Sequence, residues 1–247
     1  MKKLKILTLN IWRYFEWEKR KRLAIDFIKK QNADIVFLQE AAYDKRSKEK
    51  WKNQVDELNS ELKYVDFKFS KLQDMTRWNG KPIDWKMHYG LGILSKYSIK
   101  RSELIILPHV KTDKNFGFLH AVLETPWKNI DIINVHFENN DEGSKEHLKQ
   151  TLEWCRQKEI MPIIAGDFNS LIVKNVLDSA NKEYFISYKI KEYKSFPPTP
   201  FSYNKVPVTL DYILVHKKAF KMKKVECFED SKVSDHKPVI AEVETIE

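Results

Sequence analysis

The chain has little cysteine, little arginine and no long apolar run, and each shortage narrows what it can be. Cys155 and Cys227 are the two cysteines in 247 residues. They stand far apart, which argues against a disulfide framework and against a thiolate metal site. Both read as small buried apolar residues. No stretch reaches the ~20 apolar residues that a membrane-spanning helix needs, so no membrane anchor is expected. The opening Met1-Lys2-Lys3-Leu4-Lys5-Ile6-Leu7-Thr8-Leu9-Asn10 has a basic start and an apolar middle. Polarity returns at Asn10 and Arg13 with no small-residue cleavage site beyond, so it reads as a first strand and not a signal peptide. An intracellular protein is expected. Repeats and low-complexity tracts are missing. Arginine appears seven times among 44 basic residues, so lysine carries most of the net charge of +9. That balance suits a polyanionic partner such as nucleic acid. A lysine-rich solvated surface accounts for it equally well.

What is present is an ordinary globular composition, 42% apolar and 32% charged. The length allows one large core or two small ones. Short β-branched runs predict strands over 5–10, 34–39, 64–72, 89–95, 103–107, 117–124, 130–136, 162–165, 210–215, 223–228 and 239–243. Helical spacing links Ala24, Phe27 and Ile28. It also links Trp51, Val55, Leu58 and Leu62, and then Leu148, Leu152 and Cys155 behind a predicted N-cap at Ser144. The mixed charge run from Asp44 to Lys50 leads into the second of these. Three prolines between Ser195 and Pro200 predict a loop. Strict βαβ alternation is absent and some strands are joined by short turns, as at Lys96-Tyr97. The pattern predicts two mixed sheets packed together with helices outside.

The chemistry lies where apolar strands end. Leu7-Thr8-Leu9 runs into Asn10, Phe37-Leu38-Gln39 into Glu40, and Ile133-Asn134-Val135 into His136. Ile164-Ala165-Gly166 runs into Asp167 and Asn169. Asp211 opens a strand, and Asp235-His236 stands just before the last one. A carboxylate after a strand is ordinarily a turn residue. Six such ends on adjacent strands would instead converge on one rim. Carboxylate and amide oxygens suit Mg²⁺ or Mn²⁺. Histidines can contact a phosphate and move a proton, and Asp211 is a natural partner to orient His236.

Taken in order, Leu9-Asn10, Leu38-Gln39-Glu40, Gly90-Leu91-Gly92-Ile93-Leu94-Ser95, Asn134-Val135-His136, Gly166-Asp167-Phe168-Asn169, Leu210-Asp211-Tyr212-Ile213 and Ser234-Asp235-His236-Lys237-Pro238 resemble the motifs of the endonuclease/exonuclease/phosphatase superfamily, the DNase I-like hydrolases. The resemblance implies one domain over residues 1–247, a four-layer α/β sandwich of two mixed sheets face to face with helices outside. It implies that Glu40 is the principal metal carboxylate, with Asn10 beside it and Asp235 in support. Asp167 would orient or deprotonate the attacking water, and Asn169 would hold the phosphate. His236, oriented by Asp211, would contact the phosphate and assist proton transfer, with His136 as a second phosphate-facing histidine. Abasic-site endonucleases of this superfamily differ at the first motif and lack a histidine at position 136. The segment His136-Phe137-Glu138-Asn139 is similar to the His-Leu-Glu-Ser of tyrosyl-DNA phosphodiesterases. DNase I pairs its first histidine with a mid-chain glutamate. Here His88 and Tyr89 stand near the place where such a partner is sought.

The function expected is a Mg²⁺- or Mn²⁺-dependent phosphodiesterase acting on nucleic acid, as a monomer. The alternatives are a hydrolase of another phosphate ester (a sphingomyelin-type lipid, an inositol phosphate, a nucleotide-like molecule) and a catalytically dead binding scaffold. A dead scaffold ordinarily loses a metal or catalytic residue, and every motif position here keeps a competent one. Trp78-Asn79-Gly80-Lys81 reads as a turn. With Arg77 and Trp85 it offers either an aromatic, basic rim for stacking a base or a simple hairpin with packed aromatics.

Overall fold

The computed structural model describes residues 1–46, 53–78, 80–199 and 204–246. Strand β1 (Lys3–Asn10) illustrates how the architecture arises. Side chains alternate across a strand, so Leu4 and Ile6 face one apolar cluster while Leu7 and Leu9 face another. Both faces of β1 are therefore buried. Slipping its register by one residue would exchange the two faces. With each buried Leu or Ile worth ~1.5–3 kcal/mol, the register is firmly set.

The same rule builds two sheets. The first has the order β13-β14-β1-β2-β6-β3, with β2 (Ile35–Asp44), β3 (Asp66–Asp74), β6 (Met87–Ser95), β13 (Phe220–Cys227) and β14 (Val239–Thr245). The second has the order β11-β12-β10-β9-β8-β7, with β7 (Ser98–Ile106), β8 (Gly117–Glu124), β9 (Asn129–His136), β10 (Ile163–Asp167), β11 (Tyr184–Ile186) and β12 (Asp211–His216). Each sheet holds one parallel pair, β1 with β2 and β9 with β10, among antiparallel neighbours. A separate two-stranded ribbon joins β4 (Arg77–Trp78) to β5 (Lys81–Pro82). It agrees with the hairpin reading, although Asn79 itself lies outside the described residues. The predicted turn at Lys96-Tyr97 passes the chain from the first sheet to the second, from β6 to β7.

Between the sheets lies a core containing Leu4, Ile6, Phe37, Leu91, Ile93, Leu119, Ile132, Ile163, Ile213 and Val239. Helices α1 (Trp17–Gln31) and α2 (Gln54–Leu62) cover the outer face of the first sheet through Ala24, Ile28, Val55 and Leu58. Helices α3 (Asp141–Gln157) and α4 (Val173–Ala180) cover the second through Leu148, Leu152, Cys155 and Val176. A single turn, α5 (Ser187–Ile190), follows β11. The predicted α2 face is present at Val55, Leu58 and Leu62, while Trp51 and the end of the 44–50 charge run lie outside the described residues. The N-cap of α3 is Asn140 and not Ser144: the Asn140 side chain accepts from Gly143 N at 2.7 Å. Ser144 sits inside the helix and donates to Phe168 O at 2.5 Å. Cys155 is buried as expected, but Cys227 is only half-buried; both are free thiols. Among the described residues no helix is long and apolar enough to cross a membrane.

Candidate active site

Along several strands the row that faces the other sheet changes from apolar to polar toward one end. In β1 it reads Leu4, Ile6, Thr8, Asn10; in β9, Ile130, Ile132, Asn134, His136; in β10, Ile163, Ala165, Asp167. The first polar step is a floor of uncharged groups. Gln39 Nε2 donates to Asn134 Oδ1 at 2.7 Å and to Thr8 Oγ1 at 3.1 Å. The Asn134 amide donates back to Leu38 O at 2.9 Å and Gly92 O at 2.8 Å, joining the two sheets. All three side chains are fully buried and satisfied, as buried polar groups must be.

Above that floor stands the charged layer. Register places Asp167 beside His136 on β9 and beside Asp211 on β12. Gly166 makes this alignment possible. Its φ is 149°, and a Cβ there would lie 2.1 Å from Val135 O. Asp167 is held by Asn10 Nδ2 at 3.0 Å and by Asn169 N at 2.9 Å. Its Oδ2 lies 3.7 Å from His136 Nε2 and 3.8 Å from His236 Nε2. His236 Nδ1 bonds Asp211 Oδ2 at 2.9 Å, the partnership expected from the sequence. Ser195 Oγ accepts from both Leu210 N and Asp211 N at 3.0 Å, fixing the start of β12. Asp235 accepts from His236 N and from Ser234 Oγ, both at 3.0 Å.

Glu40 reaches the same place by a bulge. The β2–β6 register shifts between Leu38 and Ala41, and Glu40 adopts φ 53°. Its Oε2 lies 2.7 Å from Arg13 Nε. Asn10, Glu40, His136, Asp167, Asn169, Asp235 and His236 all line one cavity of about 330 Å³, with Asp211 directly behind His236. The eight residues given a catalytic or metal-binding role by the resemblance are thus gathered at one end of the sandwich.

The electrostatics split the two histidines. Burial disfavours charge on both. At His236 the carboxylates of Asp211, Asp167 and Asp235 outweigh burial and hold its pKa well above the ordinary value. At His136 burial wins over Glu40, and the pKa falls to about 4. One imidazole is a cation and the other neutral at neutral pH. Burial, with Asp211 adjacent, raises the Asp167 carboxyl. Burial and then nearby Glu40 likewise raise Asp235, against the pull of His236. Glu40 is the exception: burial is opposed by Arg13, His136 and His236, and its pKa falls below the ordinary value.

A divalent cation fits this donor set. Glu40, Asp235 and the Asn10 amide oxygen are hard oxygen donors. Asn10 Oδ1 accepts from Trp12 N at 3.0 Å and keeps one lone pair. Atoms of Asp167, Asp211 and His236 also lie within 4.8 Å of one another. There a proton already joins Asp211 to His236, which makes that trio better suited to proton handling than to holding a metal.

Part of the wall was not foreseen: Arg13, Phe116 and Phe196 line the cavity, beside Tyr89, which the sequence had offered together with His88. The rings of Phe116 and Phe196 lie 5.4 Å from His136 and 4.6 Å from His236. Tyr89 faces His136 at 6.4 Å, while His88 stacks on Tyr43 and Phe69, outside the cavity. His136 Nδ1 has no hydrogen-bond partner among the described residues, so none of their carboxylates plays that part. Glu138 turns away and accepts from Val110 N at 3.0 Å and Lys111 N at 2.7 Å, anchoring a loop. On the ribbon side, Arg46 and not Arg77 covers Trp85, 3.6 Å from its ring.

Residues 7–236 match the model of the endonuclease/exonuclease/phosphatase family. Among solved structures, the chain resembles an endonuclease/exonuclease/phosphatase family protein from Leptotrichia buccalis at 19% identity and TM-score 0.75, covering 99% of this chain and 100% of that one. The human nocturnin catalytic domain aligns at 19% identity and TM-score 0.73, over 99% and 95% of the two chains. Sphingomyelinase C from Streptomyces griseocarneus aligns at 18% and 0.67, over 98% and 99%. No curated protein sequence matches. The sandwich, the strand-end cluster and the match over nearly the whole length agree: this chain belongs to the endonuclease/exonuclease/phosphatase family, whose members hydrolyse phosphate esters.

Proposed function

We propose that this protein is a phosphodiesterase dependent on Mg²⁺ or Mn²⁺, with nucleic acid as its substrate and the monomer as its working form. The observation that carries the reading is the Asp167 carboxylate, pinned by Asn10 and Asn169 between the two histidines His136 and His236. When bound by Glu40, Asp235 and Asn10, the cation supplies charge neutralisation at the phosphoryl oxygens. Asp167 takes a proton from the attacking water, whose oxygen bonds to phosphorus. As the ester P–O bond breaks, His236 gives its proton to the leaving oxygen, and Asp211 keeps that imidazole oriented. Asn169 spends one amide hydrogen on Phe137 O at 2.9 Å and offers the other to the phosphate. Neutral His136 offers one N–H to a non-bridging oxygen. The net charge of +9 favours a polyanion.

A second reading rests on the cavity itself. About 330 Å³ walled by Trp12, Phe116, Phe196 and Leu171 suits one nucleotide-sized group or a small phosphate ester, and a sphingomyelinase is among the similar structures. The test is purified protein with Mg²⁺, and separately Mn²⁺, against single- and double-stranded DNA, RNA and bis-p-nitrophenyl phosphate. Metal-dependent cleavage of a nucleic acid is expected, and Asp167→Asn should lower it by roughly 10²–10⁴-fold. Cleavage of the small diester alone moves the assignment to small phosphate esters or lipids. Silence on every substrate would overturn the nucleic-acid phosphodiesterase reading and favour a binding scaffold or a specialised monoester or adduct as the substrate.

A further inference from the structure

Arg13 sits against Glu40, the carboxylate proposed to hold the metal. Its Nε lies 2.7 Å from Glu40 Oε2, and its guanidinium carbon lies 5.6 Å from the centre of the Tyr89 ring. The side chain lines the cavity and is a third exposed at its mouth. The backbone is built to put it there. Trp12 (φ 54°), Arg13 (φ 46°) and Glu16 (φ 45°) take left-handed conformations that non-glycine residues seldom adopt. The turn they form is clamped from behind. Arg20 donates to the carbonyls of Ile11, Trp12, Arg13 and Phe15, and Gln54 donates to Arg13 O at 2.9 Å. The anchor is fixed while the guanidinium ends on the carboxylate assigned to the metal.

A divalent cation on Glu40 would set two positive groups side by side. The guanidinium would lose its anion and, facing the cavity, would take the next one offered. We propose that Arg13 is the resident counter-cation of Glu40 and becomes a phosphate-binding residue when the metal displaces it. Metal and anionic substrate then bind with positive coupling, each releasing or engaging the same guanidinium. A planar fork of donors suits a phosphate oxygen pair, and the Tyr89 ring gives the guanidinium a face to rest on as it turns. This inference rests on the metal-dependent reading of the site.

The experiment measures Mn²⁺ binding by the electron paramagnetic resonance signal of free Mn²⁺, for the parent protein, Arg13→Gln and Lys114→Ala. Lys114 lines the same cavity and controls for general loss of positive charge. Arg13→Gln should tighten Mn²⁺ by about tenfold, and Lys114→Ala by less than about threefold. In saturating Mn²⁺, inorganic phosphate should bind Arg13→Gln about tenfold more weakly than the parent. Unchanged or weaker Mn²⁺ binding by Arg13→Gln would overturn the counter-cation role, and unchanged phosphate binding would overturn the second role. A parent that binds no Mn²⁺ sinks both the metal site and this inference. The expected shifts in a protein that cleaves no diester would sustain the inference and remove the phosphodiesterase reading alone.

Discussion

His236 and Asp211 carry the sharpest residue-scale consequence. Three carboxylates keep His236 charged against its burial. In the proposed mechanism its replacement by Ala removes both the phosphate contact and the proton donor, and turnover of bis-p-nitrophenyl phosphate should fall by roughly 10²–10⁴-fold. Asp211→Asn keeps the shape of the partner and removes its charge, so it should fall by a comparable factor and lose activity at the alkaline end first. A loss under tenfold in either variant would take that residue out of the proton path. These residues were legible in the sequence because strands repeat every two residues. Asn10, His136 and Asp167 continue inward-facing rows that begin apolar. Arg13 was not legible, because its direction depends on left-handed turns that leave no periodic trace. Phe116 looked like any core aromatic.

Among the elements, the segment between β1 and α1 depends on one buried cation. Arg20 donates to Ile11 O and Val233 O, both at 2.9 Å, and so ties the Arg13 turn to the segment that leads to Asp235 and His236. Burial pushes its pKa down to about 10, which leaves it charged at neutral pH. Arg20→Met retains much of the stem and abandons the carbonyls, and should cost on the order of 3 kcal/mol in urea unfolding. A cost below about 1 kcal/mol would mean that solvent replaces the guanidinium there. The eleven strands foreseen from the sequence are all present, with ends shifted by a few residues. The short piece β11 escaped because three residues cannot display a period, and β4 and β5 were offered only as the arms of a hairpin, from turn residues and not from periodicity. The N-cap of α3 fell on Asn140 instead of Ser144 because both residue types cap well. The α3 pattern also reads on through Gly143 without a break.

For the molecule as a whole, residue spacing predicted two mixed sheets but not which strands share one. The short turn at Lys96-Tyr97 joins two strands as foreseen, but those strands lie in different layers. Stability should report on the site. Four carboxylates, Glu40, Asp167, Asp211 and Asp235, converge there, and a cation that binds only the folded chain stabilises it. Mn²⁺ at 100 times its Kd adds about 2.7 kcal/mol, which for a chain of this size raises the melting temperature by roughly 5–10 °C. Glu40→Gln should lose most of that rise in a thermal melt with and without Mn²⁺. A rise of the same size in the variant would place the cation elsewhere.

The amides of Gln39 and Asn134, with the Thr8 hydroxyl, separate the part of this molecule that folds from the part that reacts. None of the three changes charge in the pH range in which proteins live. Mutation can therefore redraw the acids and histidines above this threshold while the hydrocarbon below is left undisturbed. Substitutions above this layer should therefore alter substrate choice at little cost to the fold, which makes this architecture a tolerant starting point for laboratory selection of new phosphoesterase specificities.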